Sequence, residues 1–482
     1  MGSEDDDMSG ALVFNGVDGR TGRFLRVPPT EGEFAQCIRD EPLRLKVLRD
    51  TQWWIKHYTI YKDDKNRRSV QDVDPLRLDS AGWGVIFAPG ISTKVKEALE
   101  PLLQRRKRQA GDYYKSYDVG PNPTKEGFLA GKAGIGPADP KNVPYYLLIV
   151  GSPEEISFRF QYNLDIQYAV GRIHFKDEDG YAAYAANVTE TEKAAEKAAN
   201  AEDGSLPPKR LTLFGVSRQG DAATERSTKE LIKPLADKLA TDRTDWTHKL
   251  LIDSQASKEQ LGRLMGGGET PSILFTASHG LVFPSGDELQ RSKQGALLCQ
   301  DWPGEGHSVL PEHYFSSADL AAEANLRGLI AFHFACYSGG TPEESSFMDS
   351  PLSRPQPLAP APFISSLAQG ILGHSRGALA VIGHVDRAWT TSFSWSNQGQ
   401  IQLYESTLKC LLDGHPIGSA MEFFNQRYAE LAVEYADLYK DRDELKDVDE
   451  THFARVHRAN NDTRNFIVLG DPAVKAVFRA AS

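Results

Sequence analysis

The sequence predicts an α/β protein with mostly parallel sheets, arranged as two α/β units in tandem. Three observations predict it. Apolar runs of about five residues, bounded by Gly and Pro, recur along the chain, as strands covered on both faces do. Helical stretches alternate with those runs, which favours parallel pairing. The chain has 482 residues, too many for one ordinary domain of about 150.

The elements follow in order. Residues 1–78 form an N-terminal region without clean periodicity: an acidic start, Trp53-Trp54, then mixed charge from Lys62 to Arg68. The first unit, 79–205, opens with a buried strand over 84–88 and a helix over 92–106. A second strand covers 145–150 and ends at Gly151-Ser152-Pro153; an Ala-rich helix covers 181–201. The second unit, 206–482, has strands over 211–215, 272–276, 328–332 and 378–382. Helices are predicted over 222–239, 363–372, 400–412 and 417–440, and a last strand over 466–469.

Composition narrows the function. The hydrophobic fraction is 40% and the charged fraction 25%, as in globular proteins, which excludes a disordered, collagen-like or coiled-coil chain. The net charge of −11 argues against a protein that coats nucleic acid or an anionic membrane. Four cysteines are too few for a disulfide framework and point to a reducing compartment, the cytoplasm. No apolar run reaches the ~18–20 residues of a membrane span. The N-terminus lacks the basic-then-apolar layout of a signal peptide.

Open α/β sheets place chemistry at the carboxyl ends of strands. Two such ends stand out. Ile273-Leu274-Phe275-Thr276 runs into Ala277-Ser278-His279-Gly280, and Ile330-Ala331-Phe332 runs into His333-Phe334-Ala335-Cys336-Tyr337-Ser338-Gly339-Gly340. A nucleophilic Cys needs an imidazole close by to take and return its proton. Taken singly, a strand-end Cys is a small buried hydrophobe and a His before Gly is a turn residue. Together, in one predicted sheet and flanked by small residues, they form a candidate dyad.

These motifs resemble the His-Gly and Ala-Cys-x-x-Gly motifs of the caspase/gingipain superfamily of cysteine peptidases, which includes the bacterial caspase-like CHAT proteases. His279 precedes Cys336 by 57 residues, the order and rough separation of that superfamily. Gly377 to Trp389 resembles the gingipain strand that ends at a pocket-lining Trp, and Leu469-Gly470-Asp471-Pro472 resembles a closing motif. The resemblance spans about residues 80–478 and implies tandem caspase-like α/β/α sandwiches, the second one catalytic. The caspase pentapeptide Gln-Ala-Cys-Arg-Gly is absent, so aspartate specificity is not implied.

The reading that follows is a cysteine endopeptidase. Cys336 attacks the scissile carbonyl, His279 acts as general acid/base, and the N–H groups of Gly280 and Cys336 hold the oxyanion. This chemistry requires no metal or organic cofactor. The resemblance also implies cleavage after Arg or Lys, with Asp165, in Asn163-Leu164-Asp165-Ile166-Gln167-Tyr168, as the pocket carboxylate and Trp389 over it. Asp386 is the reserve carboxylate, and Arg387 would serve an acidic substrate residue. The partners implied are a protein substrate and an activating or inhibiting protein, with no nucleic acid and no membrane. Bacterial defence is implied by the resemblance alone.

Two alternatives stay open. A non-catalytic caspase-like scaffold or switch would need neither His279 nor Cys336. Gly373-His374-Ser375-Arg376-Gly377 fits the serine-hydrolase elbow, but helix and strand flank it in the reverse order. Other features are weaker. Gly266-Gly267-Gly268 lacks the Lys of a phosphate loop, and His307 and His313 lack metal-ligand spacing. Cys37, Cys299 and Cys410 read as structural. Arg67-Arg68, the run Arg105-Arg106-Lys107-Arg108 and the 290–311 loop are self-processing candidates, the first two expected to be exposed.

Overall fold

The structure, a computed structural model, describes residues 13–25, 73–132, 137–198, 206–347, 357–395, 398–444 and 446–479. Cys37, Trp53-Trp54 and Arg67-Arg68 lie outside the described residues.

The strands, in chain order, are β1 Gly16–Asp18, β2 Trp83–Phe87, β3 Tyr114–Asp118, β4 Tyr146–Val150, β5 Ala169–Ile173 and β6 Arg210–Gly215. There follow β7 Thr247–Ile252, β8 Ile273–Ala277, β9 Gly280–Val282, β10 Leu297–Leu298, β11 Tyr314–Phe315 and β12 Ile330–Phe334. The last are β13 Gly340–Thr341, β14 Phe363–Ile364, β15 Ala380–His384, β16 Ser394–Trp395, β17 Gln398–Gly399 and β18 Phe466–Gly470.

Ten of them make one sheet in the order β3-β2-β4-β5-β18-β15-β12-β8-β6-β7. Strands β2 to β5 are mutually parallel, and so are β6, β7, β8, β12 and β15. Strand β18 runs antiparallel to β15 and also joins β5, so the strands of 79–205 and 206–482 lie in one continuous sheet. Every residue of β2, β4, β8, β12, β15 and β18 is buried, which requires cover on both faces. On one face Phe275, Phe332 and Phe466 meet Tyr404 and Phe424, with the rings of Phe424 and Phe466 4.8 Å apart.

Three strands of this sheet fall outside the predicted set. The edge strands β3 and β7 are half-exposed, because each has a neighbour on one side only. Strand β5 is buried but contains Gly171 and Arg172. The Arg172 guanidinium is satisfied by Gln161 and by the carbonyls of Gly151 and Ser157. The helix predicted over 363–372 begins instead as β14 and turns helical at Ser366–Gly373.

Arg105 and Arg106 correct the picture of an exposed basic run. Both are buried, on the helix Thr93–Ala110. Arg106 donates to Asp471 at 2.6 Å and to Glu192 at 2.6 Å, and Arg105 pairs with Glu192 and Glu196. These bonds tie the first unit's helices to the turn after β18.

A second, smaller sheet has the order β1-β9-β10-β11. Strand β1 lies parallel to β9, with Gly16 opposite Gly280. The start of the chain thus reaches the end of β8.

Candidate active site

Three neighbouring parallel strands, β8, β12 and β15, end at one edge, and the loops beyond them carry His279, Cys336 and 386–389. The first two loops touch backbone to backbone. A Cβ built on Gly280 would stand 1.9 Å from the Cys336 carbonyl oxygen, so only glycine allows the approach. Gly339 and Gly383 pack in the same way, a Cβ on Gly383 meeting Gly339 N at 2.6 Å. Tyr337 and Asp386 hold positive φ of 58° and 83°, and the Tyr337 N–H donates to the Asp386 carbonyl at 2.8 Å. Strained backbone of this kind persists where surrounding structure over-determines it.

His279 is buried. Its Nε2 lies 2.7 Å from Asp221 Oδ2; a carboxylate can only accept, so Nε2 carries the proton. Nδ1 has no hydrogen-bond partner among the described residues and is the atom left for proton transfer. Asp221 follows β6 and caps the helix Ala222–Arg226, accepting from the N–H groups of Ala223 and Thr224. The Thr224 hydroxyl also donates to it at 2.7 Å. Burial pushes the Asp221 carboxyl up, but His279 and the Thr224 bonds outweigh it and hold the group below the usual carboxylate range. Asp221 escapes sequence reasoning because one Asp before a helix reads as a cap. Its place, at the carboxyl end of the strand beside β8, was the available signal.

Cys336 is fully buried. Its Sγ accepts the Ala388 N–H at 3.2 Å. Burial pushes the thiol well up, against the smaller opposing pull of the Ala388 N–H and Arg387. The N–H groups of Gly280 and Cys336 converge on one acceptor, the carbonyl oxygen of Asn15, at 3.0 and 3.2 Å. Asn15 was not foreseen, since the first 78 residues show no periodicity.

The remaining candidates are placed as follows. Trp389 is buried against Phe14 and Phe347, with ring centroids 4.8 and 5.3 Å away, and its backbone N–H donates to Asp462 Oδ1 at 3.0 Å. Asp386 is fully buried and accepts from Ser345 Oγ and from the N–H groups of Ser346 and Arg387. Burial raises its carboxyl above the ordinary range.

Asp165 is not brought to Cys336. Its Oδ1 accepts the Val170 N–H at 3.0 Å, beside the start of β5. That start packs with Gly418 and Pro472, next to Gly470, which pairs with Ala380 at the beginning of β15. Cys336 lies beyond the other end of those strands. The short match around Asp165 carried a sequence likeness without the position.

Ser375 is exposed in the turn before β15, away from the edge that carries His279. Among the described residues no group of three His, Cys, Asp or Glu could hold a metal ion, and no helix is long and apolar enough to cross a membrane.

Comparison with known proteins adds the following. Peptidase family C25 matches residues 107–477. The crystal structure of the Arg-specific cysteine proteinase gingipain R (RGPB) is similar at 12% identity and a TM-score of 0.49, over 84% of this chain and 80% of that one. The complex of Porphyromonas gingivalis RgpB pro- and mature domains is similar at 12% identity and a TM-score of 0.46, over 82% and 80%. A solved structure of a protease matches at 14% identity and a TM-score of 0.47, over 82% and 78%. No curated protein matches the chain.

Proposed function

The chain belongs to peptidase family C25, and from that premise we propose that it is an endopeptidase working through Cys336 and His279. It is a cysteine peptidase, and its substrates are proteins. In the proposed reaction the Cys336 thiol gives its proton to His279 Nδ1 and adds to the scissile carbonyl. His279 returns the proton to the leaving amine, and water then hydrolyses the thioester. Asp221 fixes the imidazole tautomer from the Nε2 side. The N–H groups of Gly280 and Cys336 hold the oxyanion. The observation that carries this reading is their convergence on a single carbonyl oxygen, next to the His279–Asp221 pair.

The finer reading keeps cleavage after Arg or Lys. A buried guanidinium or ammonium needs a carboxylate partner. With Asp165 set apart, Asp386 is the carboxylate that serves, at the start of the 386–389 loop. We place the enzyme in the cytoplasm, for which its few cysteines speak, with the first α/β unit non-catalytic and a protein partner as activator or inhibitor. A role in bacterial defence rests on the likeness to CHAT proteases alone.

The test is cleavage of a mixed peptide library by wild type, Cys336→Ala and His279→Ala. Loss of cleavage in both variants, with unchanged circular dichroism, supports the dyad. Surviving activity in Cys336→Ala, with label from an iodoacetamide probe on Cys299 or Cys410, would refute it.

A further inference from the structure

We infer that the chain is its own substrate: residues 13–18 lie in the cleft as a bound peptide, and Cys336 cleaves the bond between Asn15 and Gly16. The inference rests on the reading of Cys336 and His279 given above and adds the bond, its neighbours and their subsites.

Four observations carry it. The Asn15 carbonyl occupies both donors assigned to the oxyanion, Gly280 N–H at 3.0 Å and Cys336 N–H at 3.2 Å. A ground-state carbonyl held there is the one poised for attack. The nucleophile is beside the same bond: a Cβ on Gly16 would stand 3.4 Å from Cys336 Sγ.

The flanking backbone is held as a substrate strand would be. Asn15 N–H donates to the Ala388 carbonyl at 3.0 Å, and Thr390 N–H donates to the Val13 carbonyl at 3.1 Å. Phe14 and Trp389 form an antiparallel bridge. Beyond the bond, Gly16–Asp18 pairs with β9. Strand addition on both sides of a bond is how a peptide is gripped in an extended cleft.

The side chains fill subsites. Phe14 packs on the Trp389 ring at 4.8 Å, with the Arg387 guanidinium 5.4 Å from its own ring. Trp389 therefore reads the residue before Asn15. The Asn15 side chain is fully buried, its Nδ2 donating to the Ser278 carbonyl at 3.1 Å, while Oδ1 has no partner among the described residues.

The step balances with one water. Cys336 Sγ bonds to the Asn15 carbonyl carbon and the C–N bond to Gly16 breaks. The thiol proton passes through His279 to the Gly16 amine. Water then hydrolyses the thioester, giving an Asn15 carboxylate and the free thiol. A tethered segment has a high effective concentration, so Asn here is compatible with a preference for Arg in free peptides.

N-terminal sequencing and intact mass of the full chain, followed over time, test the inference. Wild type should acquire a Gly16 N-terminus at a rate independent of protein concentration. Cys336→Ala and Cys336→Ser should lose it entirely, and Asn15→Leu should slow it about tenfold. Wild type that stays intact at Asn15 while cleaving peptides in a Cys336-dependent way overturns the inference and leaves the proposed function standing. A Gly16 terminus in purified Cys336→Ala also overturns it, since another agent then breaks the bond. Wild type that cuts neither itself nor any peptide overturns both.

Discussion

Asp221 holds His279 by a single 2.7 Å bond between Oδ2 and Nε2, and the same carboxylate caps the helix Ala222–Arg226. One side chain thus has two jobs, and two substitutions separate them. Asp221→Asn keeps an acceptor for the cap but loses the charge behind the imidazolium. Its kcat should fall by about 10²–10⁴ with little change in Tm. Asp221→Ala should show the same loss of kcat and, in addition, about 1 kcal/mol of destabilisation. The pH–rate profile should shift in Asp221→Asn; an unmoved profile would mean that Asp221 serves the helix alone.

Gly280 tests the contact between the loops that carry His279 and Cys336. A methyl group there meets the Cys336 carbonyl at 1.9 Å, so Gly280→Ala must push the loops apart. We expect a loss of about 1–3 kcal/mol and a fall in kcat with little change in KM. Gly120→Ala is the control, because nothing lies within 4 Å of a Cβ at that position. Equal behaviour of the two variants in urea unfolding and peptide cleavage would remove the argument.

Specificity separates Asp165 from Asp386. Asp165→Ala loses the bond to Val170 N–H, which should cost about 1 kcal/mol and leave the ratio of Arg to Leu peptide cleavage unchanged. Asp386→Asn should lower that ratio. Matched peptides ending in Arg, Lys, Asn, Asp and Leu provide the measurement. A ratio that falls in Asp165→Ala and holds in Asp386→Asn would reverse the assignment.

The fourth prediction concerns pH. Burial lowers the His333 imidazole to about 4 and that of His457 to about 3. In the unfolded chain both titrate near 6.5. Between about 4 and 6.5 the unfolded chain therefore binds protons that the folded chain refuses, and stability falls as pH drops through that window. Each residue contributes about 1.4 kcal/mol per pH unit there. Urea unfolding at pH 7 and pH 5 measures it, and His333→Gln should flatten the slope. An unchanged slope would assign the acid sensitivity elsewhere.

The sequence revealed much of the sheet because buried parallel strands need continuous apolar runs. β8, β12 and β15 announced themselves in this way, and the loops after them carried His279 and Cys336. What stayed hidden lacked that pressure. β3 and β7 pair on one side only. β5 buries Arg172 among partners that come together only in three dimensions. The helix Glu450–Arg464 buries Asn460, Asn461 and Asp462, so its polar sequence resembles a surface. Asp221 and Asn15 meet their partners only in the folded sheet: His279 lies 58 residues from Asp221, and Gly280 and Cys336 lie far along the chain from Asn15.

The place of β18 sets an order of events during synthesis. Strand β18 lies between β5 and β15, both made before it, and Asp471 behind it bonds Trp83 and Arg106. Until those residues leave the ribosome, β5 and β15 each lack the neighbour they have in the folded sheet. Open edges recruit other strands. A stalled or truncated chain should therefore aggregate or be taken up by chaperones. Cys336 is therefore carried on a continuous sheet only once residues 466–471 have been made.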